Sequence, residues 1–331
     1  MRNKIFILLL LMAGAEATAQ NAHFSQFYSN PLYLAPSFAG SSETSRFISN
    51  YREQWAKLPG HFTSYSFSVD HFFPKYNSGM GLIFFSDQAG GGKMVTTNIG
   101  YLYSYKIRVS YDFYIQPGIS AYYYSRSINS LSLNFADQFF NGEFIGSTSE
   151  TLPAERVQHA DFAFSVMGYT ENFWGGFNLN HLMSISPILR EDIRYPDLFF
   201  SIYGGAKITT KWTVQNRNNE TLHLAFNFRN QSKINQLDIG GYYFKNPLFF
   251  GIWYRGLPIG NTYSTSDAII FLVGIKHNKL VFNYSYDMSL GGLISTSGGS
   301  HEISLIYNIL DVKEYNSKRK KYRKIPCPTF F

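Results

Sequence analysis

The stretch "LVFNYSYD", residues 280–287, decides the fold. In an extended chain successive side chains point to opposite faces. Leu280, Phe282, Tyr284 and Tyr286 therefore share one face, and Val281, Asn283, Ser285 and Asp287 the other. The same period of two recurs in "HEISLIYNI", residues 301–309, where Ile303, Leu305, Tyr307 and Ile309 oppose Glu302, Ser304 and Asn308. Tyr65, Phe67 and Val69 oppose Ser64, Ser66, Ser68 and Asp70. Leu222, Leu224, Phe226 and Phe228 oppose His223, Asn227 and Arg229. One apolar face per strand means a strand half-exposed to something apolar, and a tilted strand needs about 9 to 11 residues to cross a bilayer.

Composition points the same way. Aromatic residues make up 18% of the 331-residue chain, with 25 Tyr and 31 Phe, while charged residues are only 15%. Mean hydropathy is −0.16, too low for a bundle of membrane helices. Few charges and many aromatics fit a transmembrane β-barrel, whose strands alternate between lipid and a polar lumen. A secreted β-sandwich or propeller, the rival, needs more charge on its surface. A single cysteine, Cys327, leaves no intramolecular disulfide.

The expected fold is thus all-β, a single barrel of about 14 antiparallel strands with both termini periplasmic. The strands are expected at 45–53, 61–70, 78–86, 94–106, 110–124, 159–169, 172–181, 197–212, 221–230, 234–244, 247–256, 266–277, 279–288 and 300–310. The connections sort by side. Residues 125–158, 182–196, 257–265 and 289–299 are long. Those at 107–109, 170–171, 245–246 and 278 are tight. Long outside and short inside is the outer-membrane pattern. The connections at 72–78 and 230–233 run against it.

Residues 1–19 read as a secretory signal peptide. Arg2 and Lys4 precede the apolar run "IFILLLLM" at 5–12, and Ala17 and Ala19 take the two positions that a signal peptidase inspects, with cleavage expected before Gln20. Residues 20–44 form a separate N-terminal segment, 45–310 the barrel and 311–331 a basic tail. The stretch "HFSQFYSNPLYLAPSFAG", residues 23–40, has no strand alternation, and Pro31 and Pro36 limit any helix to a short turn. Its Phe24, Phe27, Tyr28, Leu32, Tyr33 and Phe38 need burial. It is expected to tuck into the periplasmic mouth or lumen as a plug.

Two further segments are candidates for partner contact. The long connection at 125–158 carries Phe139 and Phe140 within "NFADQFFNGEFIG". The tail carries Lys318, Arg319, Lys320, Lys321, Arg323 and Lys324, followed by Cys327 and Phe330. This pairs electrostatic steering with an apolar anchor. Cys327 is read as a free thiol or as a site for pairing with another chain. The net charge of +7 is largely a property of this tail, so nucleic acid is not an expected partner.

Catalytic constellations are missing. His159, His181, His223 and His301 fall on different strands, and no HExxH, GxSxG or metal-ligand spacing occurs. Asp87, Asp161, Asp238, Asp267 and Asp287 read as polar lumen and rim residues. "DQAGGGK", residues 87–93, lacks phosphate-loop spacing. No cofactor, no metal and no enzymatic activity are expected.

Several motifs carry a resemblance. "HFSQFYSNPLYLAPSFAG" at 23–40 resembles the mature start of the PorP/SprF family, outer-membrane proteins of the type IX secretion and gliding apparatus of Bacteroidetes. "YREQWAKLPGHFTSYSFSVD" at 51–70 and "GMGLIFFSDQAGGG" at 79–92 are similar to its first hairpins. "LDIGGYYFKNPLFFGIWYRG" at 237–256, "DAIIFLVGI" at 267–275, "NYSYDMSLGGLISTSGGSHEISLIY" at 283–307 and "CPTF" at 327–330 match its C-terminal half. Residues 128–156 carry little of it. The resemblance implies a non-enzymatic barrel whose partners are outer-membrane lipids, periplasmic ring or motor subunits, and a secreted substrate such as an adhesin. A general porin or small-molecule uptake channel is the alternative, and an outer-membrane hydrolase a third reading that the missing constellation disfavours.

Overall fold

The computed structural model describes residues 23–58, 60–91, 93–129, 138–140, 143, 144, 146, 156–185, 196–211, 220–232, 234–257, 267–290, 297–309 and 327. The alternating segments form long strands: β1 (Arg46–Gln54), β2 (Phe62–Phe73), β3 (Ser78–Ala89), β4 (Met94–Tyr105), β5 (Tyr114–Ile128), β6 (Arg156–Tyr169) and β7 (Phe173–Asn180). They continue as β8 (Phe199–Lys211), β9 (Glu220–Gln231), β10 (Ile234–Lys245), β11 (Leu248–Gly256), β12 (Ala268–His277), β13 (Leu280–Ser289) and β14 (Ser300–Asn308). The sheet counts fifteen strands, one of them the two-residue piece Ile107–Arg108, so fourteen build the wall.

Each strand pairs antiparallel with the next in sequence. β1 then pairs with β14, from Arg46 opposite Asn308 to Gln54 opposite Ser300, and the sheet closes into a barrel. Closure leaves no strand edge unpaired, the condition for a sheet to sit in lipid. Among the described residues no helix is long and apolar enough to cross a membrane. All fourteen expected strands are present. The fifth is shifted: it spans Tyr114–Ile128, not 110–124, and the expected tight turn at 107–109 is a short ladder of Ile107–Arg108 against Tyr114 and Ile115. Tyr111 and Phe113 continue the alternation into the turn, where the Val109 amide bonds to the Phe113 carbonyl at 3.0 Å.

Burial is inverted relative to a water-soluble domain. On β2, Tyr65 and Phe67 are 43% and 51% exposed, whereas Ser64, Ser66, Ser68 and Asp70 are buried. Leu82, Phe84, Ile252, Phe271 and Leu305 likewise lie on the outer face. Apolar side chains outside and serines inside suit a wall with hydrocarbon on one side and a packed polar lumen on the other.

The barrel has two distinguishable mouths. β1 starts and β14 ends at the near mouth, which carries the turns at 74–77, 170–172, 246–247 and 278–279. The far mouth carries the connections at 129–155, 181–198, 257–267 and 290–299. The sorting is imperfect, since 212–219 is a long near-mouth connection and 232–233 a short far-mouth one.

Candidate functional site: a plugged lumen

The N-terminal segment fills the barrel. It is a chain of tight turns: a 3-10 turn Phe27–Ser29, a one-turn helix α1 (Pro31–Leu34) and a second 3-10 turn Pro36–Phe38. Pro31 and Pro36 each open a turn, where a missing N–H costs nothing and the fixed φ suits the helix. Such turns satisfy the backbone locally and leave side chains pointing outward in all directions. Phe27, Tyr28, Leu32, Leu34 and Phe38 are buried against the wall. The Tyr28 ring stacks on Trp253 of β11 with centroids 5.0 Å apart, Phe27 meets that indole edge-on at 5.2 Å, and Phe38 packs on Tyr203 of β8 at 5.4 Å. Aromatic pairs of this kind contribute about 0.5–1.5 kcal/mol each beyond area burial. Burial raises the Tyr28 hydroxyl pKa well above its ordinary value.

Polar contacts hold the plug on the remaining sides. The Ser37 amide donates to Ser165 Oγ of β6 at 2.8 Å, and Asn178 Nδ2 of β7 donates to the Leu34 carbonyl at 2.9 Å. The Ala39 carbonyl accepts from Ser104 Oγ of β4 at 2.7 Å and from Gln116 Nε2 of β5 at 3.0 Å. Asn283 Nδ2 of β13 reaches Ser29 Oγ at 3.0 Å. The exit from the plug is Gly40, in the left-handed region at φ +65°, whose amide donates to Asp70 Oδ2 of β2 at 2.8 Å.

A buried ion network fastens the start of the plug. Arg52 of β1 contacts Asp287 of β13 at 2.8 Å and Glu302 of β14 at 3.2 Å. Arg255 of β11 contacts Asp287 at 3.1 Å and Asp238 of β10 at 3.0 Å, and Arg229 of β9 contacts Asp238 at 2.6 Å. Ser25 sits in its middle. Its amide donates to Glu302 Oε2 at 2.6 Å, its hydroxyl donates to Asp287, and both Arg52 and Arg255 donate to that hydroxyl. The Gln26 amide adds a bond to Glu302 Oε1 at 3.0 Å. Burial, then the charges of Arg229, Arg255 and Arg52, hold the adjacent His23 imidazole well below its ordinary pKa.

These contacts set the direction of the plug. Ser25 meets residues near the far-mouth ends of β1, β11 and β13, while Gly40 and Glu43 lie at the near mouth. The first described residue, His23, is therefore in the far half of the lumen. β1 starts and β14 ends at the opposite, near mouth.

At the near mouth Arg46 pairs with Asp70 at 3.0 Å and Lys106 with Glu43, the Lys106 ammonium lying 4.5 Å from the Tyr114 ring centre. Cys327 returns to this mouth. Its amide donates to the Ser41 carbonyl at 3.3 Å and its sulfur lies 3.8 Å from Met167 Sδ, with the side chain buried. It is a free thiol. Burial pushes the thiol pKa up, with Lys106 and Arg46 pulling the other way.

On the far side of the plug the lumen keeps a cavity of about 470 Å³. His181 Nδ1 is 2.5 Å from Asp161 Oδ2, and Tyr124 stacks on His159 at 4.6 Å. Tyr124 also meets the His181 ring edge-on at 6.4 Å, so both histidines lie against one tyrosine. No metal-binding group occurs among the described residues.

The candidate partner-contact residues divide three ways. Phe24, Phe27, Tyr28 and Tyr33 lie in the lumen, packed against their own barrel. Phe139–Phe140 pairs with Glu143–Phe144 as a separate two-stranded ladder. Lys318, Arg319, Lys320, Lys321, Arg323, Lys324 and Phe330 lie outside the described residues, as do residues 1–19. Sequence reasoning missed the ion network and the inward glycines. The signal for the first is Arg52, Arg229 and Arg255 at inward positions otherwise given to small polar residues. The signal for the second is Gly79 and Gly118 in strands at positions where the plug passes.

Comparison with known proteins follows from this geometry. Among solved structures the chain is similar to the Acinetobacter baumannii outer membrane protein Omp33, with 6% identity and a TM-score of 0.44, covering 81% of this chain and 100% of that one. It is similar to the Ralstonia pickettii toluene transporter TbuX, with 8% identity and a TM-score of 0.45, covering 83% and 91%. No curated protein matches the chain. The family model described as type IX secretion system membrane protein PorP/SprF matches residues 16–307, and the chain belongs to that family.

Proposed function

We propose that this chain is an outer-membrane barrel of the type IX secretion system that works by binding protein partners, with its lumen closed by its own N-terminal segment. Family membership supports the secretion role. The observation that carries the mode of action is the plug, anchored to strands around the circumference by Trp253, Tyr203, Ser165, Ser104, Asp70 and Glu302. A diffusion channel needs a continuous wide lumen, and here stacked aromatics and buried ion pairs occupy it.

In this reading the near mouth faces the periplasm, because short turns mark that side in outer-membrane barrels. A cleaved signal peptide at 1–19 exports the chain. The basic block from Lys318 to Lys324 then meets periplasmic secretion subunits, and the far-mouth connection carrying Phe139 and Phe140 meets a secreted substrate. No catalysis is involved. Affinity isolation from native membranes tests this. Co-purified secretion subunits, reduced on removal of residues 317–326, support it. A protein recovered alone at full yield contradicts it.

A further inference from the structure

The cavity on the far side of the plug carries polar groups that nothing among the described residues satisfies. Asn30 of the plug and Asn227 of β9 both line it, each 1% exposed, and neither Nδ2 nor Oδ1 of either has a hydrogen-bond partner among the described residues. The Nε of Arg229, two residues along β9 on the same face, is also unmet. Leaving a buried polar group unpaired destabilises the fold. An apolar side chain at 227 would avoid that cost, so the fold gains nothing from an amide there. The lining also carries the aromatic rings of Phe24, Tyr33, Phe85 and Tyr122. The volume of about 470 Å³ falls in the range of small-molecule sites, roughly 300–1,000 Å³.

Charge decides the class of ligand. Arg52, Arg229 and Arg255 are matched by Asp238, Asp287 and Glu302, and elsewhere on the lining Arg126 is set against Asp87 while Asp161 pairs with His181, so the cavity has no large surplus of one sign for an ion. Each unmet amide offers a donor and an acceptor side by side, which a hydroxyl-rich neutral molecule answers, since every hydroxyl both donates and accepts. Aromatic faces cover the C–H faces of such a ring. We propose that this cavity is a binding site for a neutral saccharide of one or two rings, held by Asn30, Asn227 and Arg229 Nε against those aromatic rings.

The proposal stands apart from the secretion role and is tested without secretion subunits. Purified full-length protein in a zwitterionic, non-glycosidic detergent is titrated calorimetrically with maltose, cellobiose and N,N′-diacetylchitobiose. At least one sugar saturates a single site. Asn227→Ala, which removes no side-chain hydrogen bond among the described residues, weakens that binding about tenfold or more, and Ser110→Ala at the near mouth leaves it unchanged. A heat-modifiability gel shows that both variants are folded. No binding of any of the three sugars, or equal binding by Asn227→Ala, overturns the proposal. So does saturable binding of a neutral blocked dipeptide in place of the sugars.

Discussion

The Ala39 carbonyl packs against Gly79 so closely that a Cβ added at Gly79 would stand 2.0 Å from its oxygen. The plug and the wall meet here with no room for a side chain. At Gly118 an added Cβ would meet the Ser37 nitrogen at 2.4 Å. The obstructing atoms are backbone, which cannot swing aside as a flexible side chain would. Gly79→Ala and Gly118→Ala are therefore expected to push the plug from its seat. The cost is about 1–3 kcal/mol, the usual range for overpacking. Limited proteolysis of folded protein checks this: both variants should be cut within residues 23–44 under conditions that leave the wild type intact.

Glu302 accepts from the backbone amides of both Ser25 and Gln26 while pairing with Arg52. Glu302→Ala removes one partner and leaves Asp287 as the remaining carboxylate on the Arg52 guanidinium among the described residues, beside the Ser25 hydroxyl. Breaking a buried pair from one side costs about 3–5 kcal/mol. A double-mutant cycle with Arg52→Met should give a non-additive result, because the second substitution removes the charge that the first one stranded. Additive losses in the melting midpoints would place the two residues in separate environments.

Cys327 offers a test of its seat at the near mouth. A buried thiol whose pKa is raised stays protonated, and the thiolate is the nucleophile. Maleimide should label the folded protein slowly at pH 8 and rapidly after denaturation. The folded value lies above the unfolded one, about 8.5. The contribution is thus complete below that pH and is lost as pH rises past it. Cys327→Ala should lose less stability than the wild type between about pH 8.5 and 10.

Much of this architecture was legible in the sequence because barrel strands are local patterns. Alternation at residues 280–287 or 63–70 needs no knowledge of neighbours, and the fourteen strands follow from it. The proline-aromatic stretch at 23–40 was legible by contrast, as a segment that needs burial and is no strand. The ion network was not. Arg52 and Glu302 meet only because β1 closes on β14, a pairing that depends on strand count and register around the whole sheet. The return of Cys327 to Met167 was hidden for the same reason, since contacts 160 positions apart leave no local pattern. The shift of β5 reflects a turn whose Tyr111 and Phe113 imitate a strand.

Conductance across a planar bilayer tests the central claim, that the chain occupies its own lumen, most directly. Wild-type protein inserted alone should give no stable open-channel current. A variant lacking residues 24–38, shown by gel shift to be folded, should give steps of the size expected for an open barrel of this strand number. Steady wild-type conductance equal to that of the truncated variant would contradict a lumen closed by residues 23–44.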